Sequence, residues 1–182
     1  MRKTLSQLRQ DFQRSFEDPS TSGLNEGRLF DFLADFVDTM TPVYGILATP
    51  GPLVQSLTTV DQVVPWEQEY IAQLPEFTVN PATGTITRAD GLCSNRVTVN
   101  VNAELAANRE VEVTLYANGQ PTVWQAKAIG SGSGRPSVIS LEAIHYSDVP
   151  VSFQLKALVD QATSVTFSNG VFVVSAVPVR EL

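Results

Sequence analysis

The sequence contains very little cysteine, histidine and charge. It has one cysteine, Cys93, and one histidine, His145, in 182 residues. A single cysteine excludes a disulfide within the chain, and the lack of a CxxC motif or a Cys/His cluster excludes a zinc framework of that kind. Charged residues make up 17% of the chain, which is below the usual fraction for soluble domains. We therefore expect a fold stabilised by packing, with much of its surface uncharged or covered by a partner.

Clusters of basic residues and long apolar runs are also missing. Lys and Arg together number 12 against 19 acidic residues, which gives a net charge of −7. No basic stretch is present that would follow a phosphate backbone, so direct binding to nucleic acid is not expected. The apolar runs, such as residues 171–177, are shorter than a signal sequence or a membrane span. We therefore expect neither a membrane location nor secretion.

The first 41 residues show two amphipathic helical patterns. Residues 4–16 place apolar side chains three and four positions apart, residues 25–40 do the same, and Pro42 ends the second pattern. A helix of about three turns is marginal alone in water, so these apolar faces need a partner. We predict that residues 1–41 form a helical arm that anchors the chain to a larger particle. The predicted anchoring residues are Leu5, Leu8, Phe12, Phe16, Leu29, Phe32, Leu33 and Phe36.

Prolines recur in the next segment, residues 42–75, and no regular apolar spacing is visible there. This pattern predicts an extended connector that lies over a surface. The segment is rich in apolar residues for a linker, which favours a path along a partner or a neighbouring subunit over free disorder.

The remainder, residues 76–182, changes to an alternation of period two. Residues 97–105 alternate apolar with polar side chains, and residues 151–158 do the same. Asn118-Gly119 and Asn169-Gly170 are dipeptides that favour tight hairpin turns. No helical pattern follows residue 40, so we predict a mainly β fold, an antiparallel jelly-roll β-sandwich of about eight strands over residues 76–182, with the short two-helix arm in front.

The last strand is apolar on both of its faces. Residues 171–177 alternate Val171 and Val173 with Phe172 and Val174. One face of a strand in a two-sheet sandwich is normally exposed to solvent, so the second apolar face needs a cover. We predict that Val171, Phe172, Val173 and Val174 belong to an interface between subunits; a local cover by the connector is the alternative.

No residue pattern indicates catalysis. His145 and Asp148 lie close in sequence, but the G-x-S-x-G motif of hydrolases is absent. Residues 130–135, GSGSGR, lack the Gly-Lys-Ser/Thr ending of a phosphate-binding loop. We therefore expect no enzyme activity, no cofactor and no metal, with His145 in a structural role and residues 130–135 as a loop between strands.

A few residues have two possible roles, one in ligand binding and one in the structure. Asn100, Asn102 and Glu104 share one face of a strand, where they would bind a sugar or a hard cation or simply face solvent. Trp66 and Trp124 would serve as stacking platforms for a sugar ring or as core and interface residues. The sequence does not distinguish ligand binding from a structural role for these residues.

Two parts of the sequence resemble known virion proteins. The opening is TLSQLRQDFQRSFEDPSTSGLNEGRLFDFLADFVDTM, and it resembles the short helical segment of tailed-bacteriophage virion appendages. The later segments are VTVNVNAEL, REVEVTLYANG, VSFQLKALVD and SVTFSNGVFVVSAV, and they are similar to the C-terminal β-domains of phage fibres and decoration proteins. Those domains share the jelly roll of tumour necrosis factor and C1q. The aromatic Gly-x-Tyr signature of C1q is absent here, which leaves the strand order open.

The resemblance implies a homotrimer in which the inner sheets of three sandwiches meet around an axis, and an arm that binds the particle. It implies a structural virion protein, assembled in the host cytoplasm, whose partners are its own copies and a major capsid or other virion protein. We expect a capsid decoration (cement) or head-fibre protein. The alternatives are a neck- or tail-fibre knob that binds host glycan through residues 130–137, Asn100 and Asn102, and a small carbohydrate-active enzyme.

Overall fold

The computed structural model describes residues 43–71, 76–89, 93–132 and 134–177, together with Gln10. These residues form twelve strands. The strands are β1 (Val43–Thr49), β2 (Leu53–Leu57), β3 (Gln62–Val63), β4 (Gln68–Ile71), β5 (Phe77–Asn80), β6 (Thr85–Arg88), β7 (Cys93–Glu104), β8 (Glu110–Ala117), β9 (Gln120–Ile129), β10 (Ser137–Ser147), β11 (Val151–Val159) and β12 (Thr163–Val177).

The strands form two six-stranded sheets, which we call sheet A and sheet B. Sheet A has the order β10-β7-β12-β1-β4, and β2 also pairs with β12. Sheet B has the order β5-β6-β11-β8-β9, and β3 also pairs with β11. Apart from the consecutive pairs β5–β6 and β8–β9, neighbours in each sheet come from distant parts of the chain, as in the pairing of β1 with β12, so the sandwich depends on long-range antiparallel contacts.

The core lies between the sheets and follows directly from the alternation in the sequence. Every second residue of β11 is buried, and β7 shows the same pattern from Asn95 to Ala103. The largest fully buried apolar side chains in the core are Phe77, Phe153, Phe167 and Phe172, all 0% exposed. Full burial of one such side chain contributes about 1.5–3 kcal/mol, so these positions stabilise the sandwich strongly.

The hairpin predicted at Asn118-Gly119 is confirmed. Both residues have positive φ angles, 49° and 77°, and they connect β8 to β9. The Asn118 side chain also accepts a hydrogen bond from the Ser152 amide at 2.8 Å, which ties the turn to β11.

The hairpin predicted at Asn169-Gly170 is wrong, because β12 continues through both residues. Asn169 has a φ of 48°, but it makes a local irregularity within the strand. Residues 163–167 pair with β2 and residues 170–176 pair with β1, so the irregularity faces the break between those two strands. Gly170 is needed there, because a Cβ would lie 2.9 Å from a Val101 methyl group and 3.2 Å from the Trp66 ring.

The structure also corrects the predicted boundary of the sandwich. Residues 43–71, which were expected to form an extended connector, contain β1, β2, β3 and β4. The prolines fall between these strands: Pro50 and Pro52 separate β1 from β2, and Pro65 separates β3 from β4. Proline lacks an amide hydrogen, so it interrupts the ladder and keeps each strand short. The sandwich therefore begins at Val43 in the described residues and has more strands than the eight expected.

The predicted arm, residues 1–41, lies outside the described residues, apart from Gln10, whose helical backbone alone does not test the two helices. Within the described residues, no helix has the length and apolarity needed to cross a membrane.

Candidate self-association surface

The outer face of sheet A carries an apolar stripe along its middle. Strands β1 and β12 pair in antiparallel register, so their outward side chains lie side by side: Val173 is opposite Ile46 and Val171 is opposite Ala48. Val171 is 40% exposed, whereas Val173 and Ile46 are half-buried by their neighbours. We define the central stripe as Tyr44, Ile46, Ala48, Val171 and Val173.

Exposed apolar side chains also lie along the edge strand β10. Val138, Ile144 and Tyr146 point outward on the same face of sheet A and are 62%, 64% and 58% exposed, and the exposed Ser140 and Glu142 lie between Val138 and Ile144 in the same row. We call these three residues the edge patch. Strand β7 separates the edge patch from the central stripe, because it pairs with β10 on one side and β12 on the other.

One ion pair joins β7 to the edge strand β10 on this face. Arg96 of β7 donates hydrogen bonds to Glu142 of β10, with 2.8 Å from Nε to Oε1 and 2.5 Å from Nη2 to Oε1. Both side chains are more than half exposed, at 56% and 58%. The pair is electrically balanced, so this part of the face has no net charge.

The outer face of sheet B differs from that of sheet A in being charged. Lys127 lies 2.6 Å from Glu110 and 3.0 Å from Glu112, which face it across the β8–β9 ladder. The Lys156 ammonium lies 4.1 Å from the centroid of the Tyr116 ring. Val123 and Ile129 are also exposed on this face, so the two outer faces differ in their charged groups, and the smaller number of charges makes the outer face of sheet A the less costly one to bury.

The four residues predicted for the interface divide between the two faces of β12. Val171 and Val173 lie on the outer face, in the central stripe. Phe172 and Val174 are 0% exposed and belong to the core of the sandwich, so they are not accessible to a second subunit. The interface prediction therefore stays a prediction for Val171 and Val173, while Phe172 and Val174 pack within the domain.

The eight residues predicted to anchor the arm lie outside the described residues. That prediction is untested by the structure.

The polar row of β7 lies on the outer face of sheet A. Asn100 and Glu104 are exposed and Asn102 is half-buried, with Ser140 opposite Asn100 and Val138 opposite Asn102. In the parts of the chain that the structure describes, no group of three or more His, Cys, Asp or Glu side chains is placed to hold a metal ion. The row offers the hydrogen-bonding groups of two amides and one carboxylate.

Both tryptophans pack against other side chains. Trp66 is only 6% exposed, and its ring centroid lies 5.8 Å from that of Phe172. Trp124 is half-buried and packs against the core, with its ring centroid 6.0 Å from that of His145. Neither ring is free to act as a stacking platform, so both tryptophans are interpreted as residues that pack in or against the core.

The glycine-rich loop after β9 packs against the loop before β8. The Gly130 amide donates to the Arg109 carbonyl at 2.8 Å, and the Asn108 amide donates to the Gly130 carbonyl at 3.0 Å. A Cβ on Gly130 would lie 2.1 Å from the Ala106 carbonyl oxygen, which explains the glycine. These amides are used within the fold, as expected of a loop between strands.

His145 is held between two aromatic rings at the inner side of β10. Its ring meets Phe153 edge-to-face at 5.4 Å between centroids and Trp124 at 6.0 Å. Burial lowers the pKa of His145 from its ordinary value of 6.5. The neutral ring is therefore the form that the fold accommodates.

This arrangement predicts a loss of stability in mild acid. The unfolded chain takes up the proton more readily than the folded one. The free energy of unfolding therefore falls as the pH drops below 6.5, while the full contribution of the neutral His145 is present above that pH. We expect chemical unfolding to show this loss between pH 6.5 and about 5, a range in which most carboxylates stay ionised. His145→Phe should remove the loss, and Tyr146→Phe, at the exposed neighbouring position, should retain it. Equal pH dependence in the two variants would contradict the assignment.

Several residues of this surface were not identified from the sequence. Tyr44 and Ile46 lie in the segment that was expected to be a connector, and their alternation in β1 covers only seven residues. Ile144 and Tyr146 alternate with Ala143 and His145 in β10, and this pattern does not indicate which side faces the core.

Comparison with known proteins supports the fold alone. No protein-family model and no curated protein sequence matches the chain. Solved structures do match, including the globular domain of zebrafish complement 1qA protein, at 11% identity and a TM-score of 0.53, covering 76% of this chain and 99% of that one. Eiger TNF from S. frugiperda has 12% identity and a TM-score of 0.52, covering 78% and 100%, and murine APRIL has 7% and 0.51, covering 75% and 100%. The described part of this chain is thus a jelly-roll sandwich of the TNF and C1q type, which confirms the sandwich predicted from the sequence.

Proposed function

We propose that this chain is a structural virion protein that assembles into a homotrimer through the outer face of sheet A. In this proposal the N-terminal arm holds the trimer on the particle, as in a capsid decoration (cement) or head-fibre protein. One observation carries the proposal: the outer face of sheet A combines the uncharged central stripe with few charged groups, while the outer face of sheet B carries Lys127, Glu110 and Glu112.

Charge favours a second copy of the chain as the occupant of this face. A protein with a net charge of −7 repels its own copies over most of its surface. On the outer face of sheet A, the Arg96–Glu142 pair is balanced and the central stripe is uncharged. Two copies meet there without like-charge repulsion, and burial of apolar area contributes about 25 cal/mol per Å² before association costs.

The layout of the apolar surfaces favours a closed ring. The central stripe and the edge patch are different surfaces on one subunit, separated by β7. When a patch on one copy contacts a different patch on the next, the contact is heterologous, and it closes into a ring if the rotation permits. The jelly-roll family that the sequence resembles forms homotrimers, which supports a ring of three.

Sedimentation of the full chain tests the assembly. We expect one species at three times the subunit mass, at concentrations where a monomer of this size would sediment alone. A stable lone subunit over the same concentrations would overturn the proposal.

Removal of residues 1–41 tests the anchoring role. The truncated chain retains the whole sandwich from Val43, so we expect a folded trimer that no longer joins the particle. Three weakly bound arms on one trimer reinforce each other through multivalency, so the loss should be large, from full occupancy to background. The measurement is the amount of truncated and intact chain that co-purifies with assembled virions. Normal occupancy of the truncated chain would contradict anchoring by the arm.

The alternative function, a glycan-binding knob on a neck or tail fibre, has one observation in its favour. Asn100 and Ser140 form an exposed polar pair on sheet A, suited to hydrogen bonding with a sugar. Copy number separates the two proposals, because a decoration protein is present in hundreds of copies per virion and a fibre knob in few.

A further inference from the structure

We propose that the Arg96–Glu142 ion pair sets the register in which two copies of this chain meet, and so limits assembly to one geometry. This inference rests on the proposed self-association through the outer face of sheet A. It assigns to these two residues a role in specificity, in addition to any contribution to affinity.

The position of the pair is the first reason. Ile144, in the edge patch, is directly opposite Arg96, and Thr98 is directly opposite Glu142. On the other side of β7, the Ser175 hydroxyl donates to the Arg96 carbonyl at 3.4 Å, which places the pair beside the outward row of β12. Arg96 therefore lies between the edge patch and the central stripe, and Glu142 lies within the row of the edge patch, so a neighbouring copy that covers both sets of apolar side chains also covers the ion pair.

The scarcity of other charges is the second reason. Among the described outward positions of β1, β7, β10 and β12, the charged residues are Arg96, Glu142 and Glu104, and Glu104 lies at the end of β7. Apolar contacts have no preferred direction, so the central stripe alone allows copies to slide past one another. The ion pair is the charged feature within this face that distinguishes one register from another.

Desolvation of the ion pair makes some registers more costly than others. Both side chains are more than half exposed in the single subunit, so assembly removes them from water. A register that sets the pair against the stripe of another copy leaves charges facing apolar groups, which is costly. A register that sets it against polar side chains such as Thr98, Asn100 and Ser140 satisfies the remaining hydrogen bonds. The cost of the wrong contacts selects the right one.

The experiment compares single and double replacements in the full chain. Arg96→Leu or Glu142→Leu alone leaves one charge without its partner, and we expect self-association at least about tenfold weaker by sedimentation equilibrium. The double variant Arg96→Leu/Glu142→Leu has neither charge, so we expect it to associate with wild-type strength or more, but into a broad range of masses. The exchanged variant Arg96→Glu/Glu142→Arg should again give a single species.

The control uses the charged cluster on the other sheet. Lys127→Leu/Glu110→Leu/Glu112→Leu removes the contacts of 2.6 Å and 3.0 Å from the outer face of sheet B, and its mass distribution should equal that of the wild type. A double Arg96/Glu142 variant with the same single mass as the wild type would overturn the inference while leaving the trimer intact. A wild type that sediments as a lone subunit would instead overturn the proposed function, and the register role with it.

Discussion

Replacement of Val173 by Asp is expected to convert the assembled protein into single subunits. Val173 lies in the central stripe, half-buried between its neighbours and opposite Ile46 of β1. The new carboxylates would face apolar side chains of the adjoining subunit, and each would lose its hydration. Sedimentation velocity should show the mass falling to one third.

The control for Val173→Asp is the same charge change on the other sheet. Thr78 is exposed on β5, at the outer face of sheet B, and Thr78→Asp should keep the wild-type mass. Circular dichroism should show both variants to be folded, because neither side chain belongs to the core. An intact trimer in Val173→Asp would mean that the central stripe does not form the interface.

Replacement of Phe172 by Ala is expected to lower the free energy of unfolding by about 3–5 kcal/mol. Phe172 is adjacent to Val173 in sequence but faces the opposite way, is 0% exposed, and packs against Trp66 with 5.8 Å between ring centroids. The truncation removes buried apolar area and leaves a cavity between the sheets. Denaturant unfolding at one fixed protein concentration measures the change, because assembly makes stability depend on concentration.

A neutral control for Phe172→Ala is Val123→Ala. Val123 is 88% exposed on β9, so its truncation should change the free energy of unfolding by less than about 0.5 kcal/mol. A loss below about 1 kcal/mol in Phe172→Ala would show that this ring is not part of the core. Together with Val173→Asp, the pair of variants separates the two faces of β12: one variant affects assembly and the other affects folding.

Much of the sandwich was predictable because its longest strands alternate clearly. Residues 97–105 and 151–158 have the period of a half-buried strand, and β7 and β11 cover them almost entirely. Asn118-Gly119 was predictable for a local reason, since few other dipeptides accept two positive φ angles. In these cases the physical cause of the structure lies within a few neighbouring residues.

The strands between residues 43 and 71 were missed because they are stabilised by distant parts of the chain. Each is seven residues or shorter and is bounded by turns or prolines, so its own pattern is weak. β1 is held by β12, more than a hundred residues away, and β3 is a two-residue addition to β11. The wrong hairpin at Asn169-Gly170 has the same origin, because the partners that keep β12 continuous are β1 and β2.

The candidate surface divides in the same way. The sequence of residues 171–177 was sufficient to show a strand with two apolar faces, because successive side chains of a strand point to opposite faces and nearly all of these are apolar. Which face enters the core depends on how β12 pairs with β1 and β7, and no local pattern encodes that pairing. Likewise, only the assembled sheet brings Tyr44 and Ile46 beside Val173 and sets Arg96 against Glu142, because these contacts join residues about 46 to 130 positions apart in the chain.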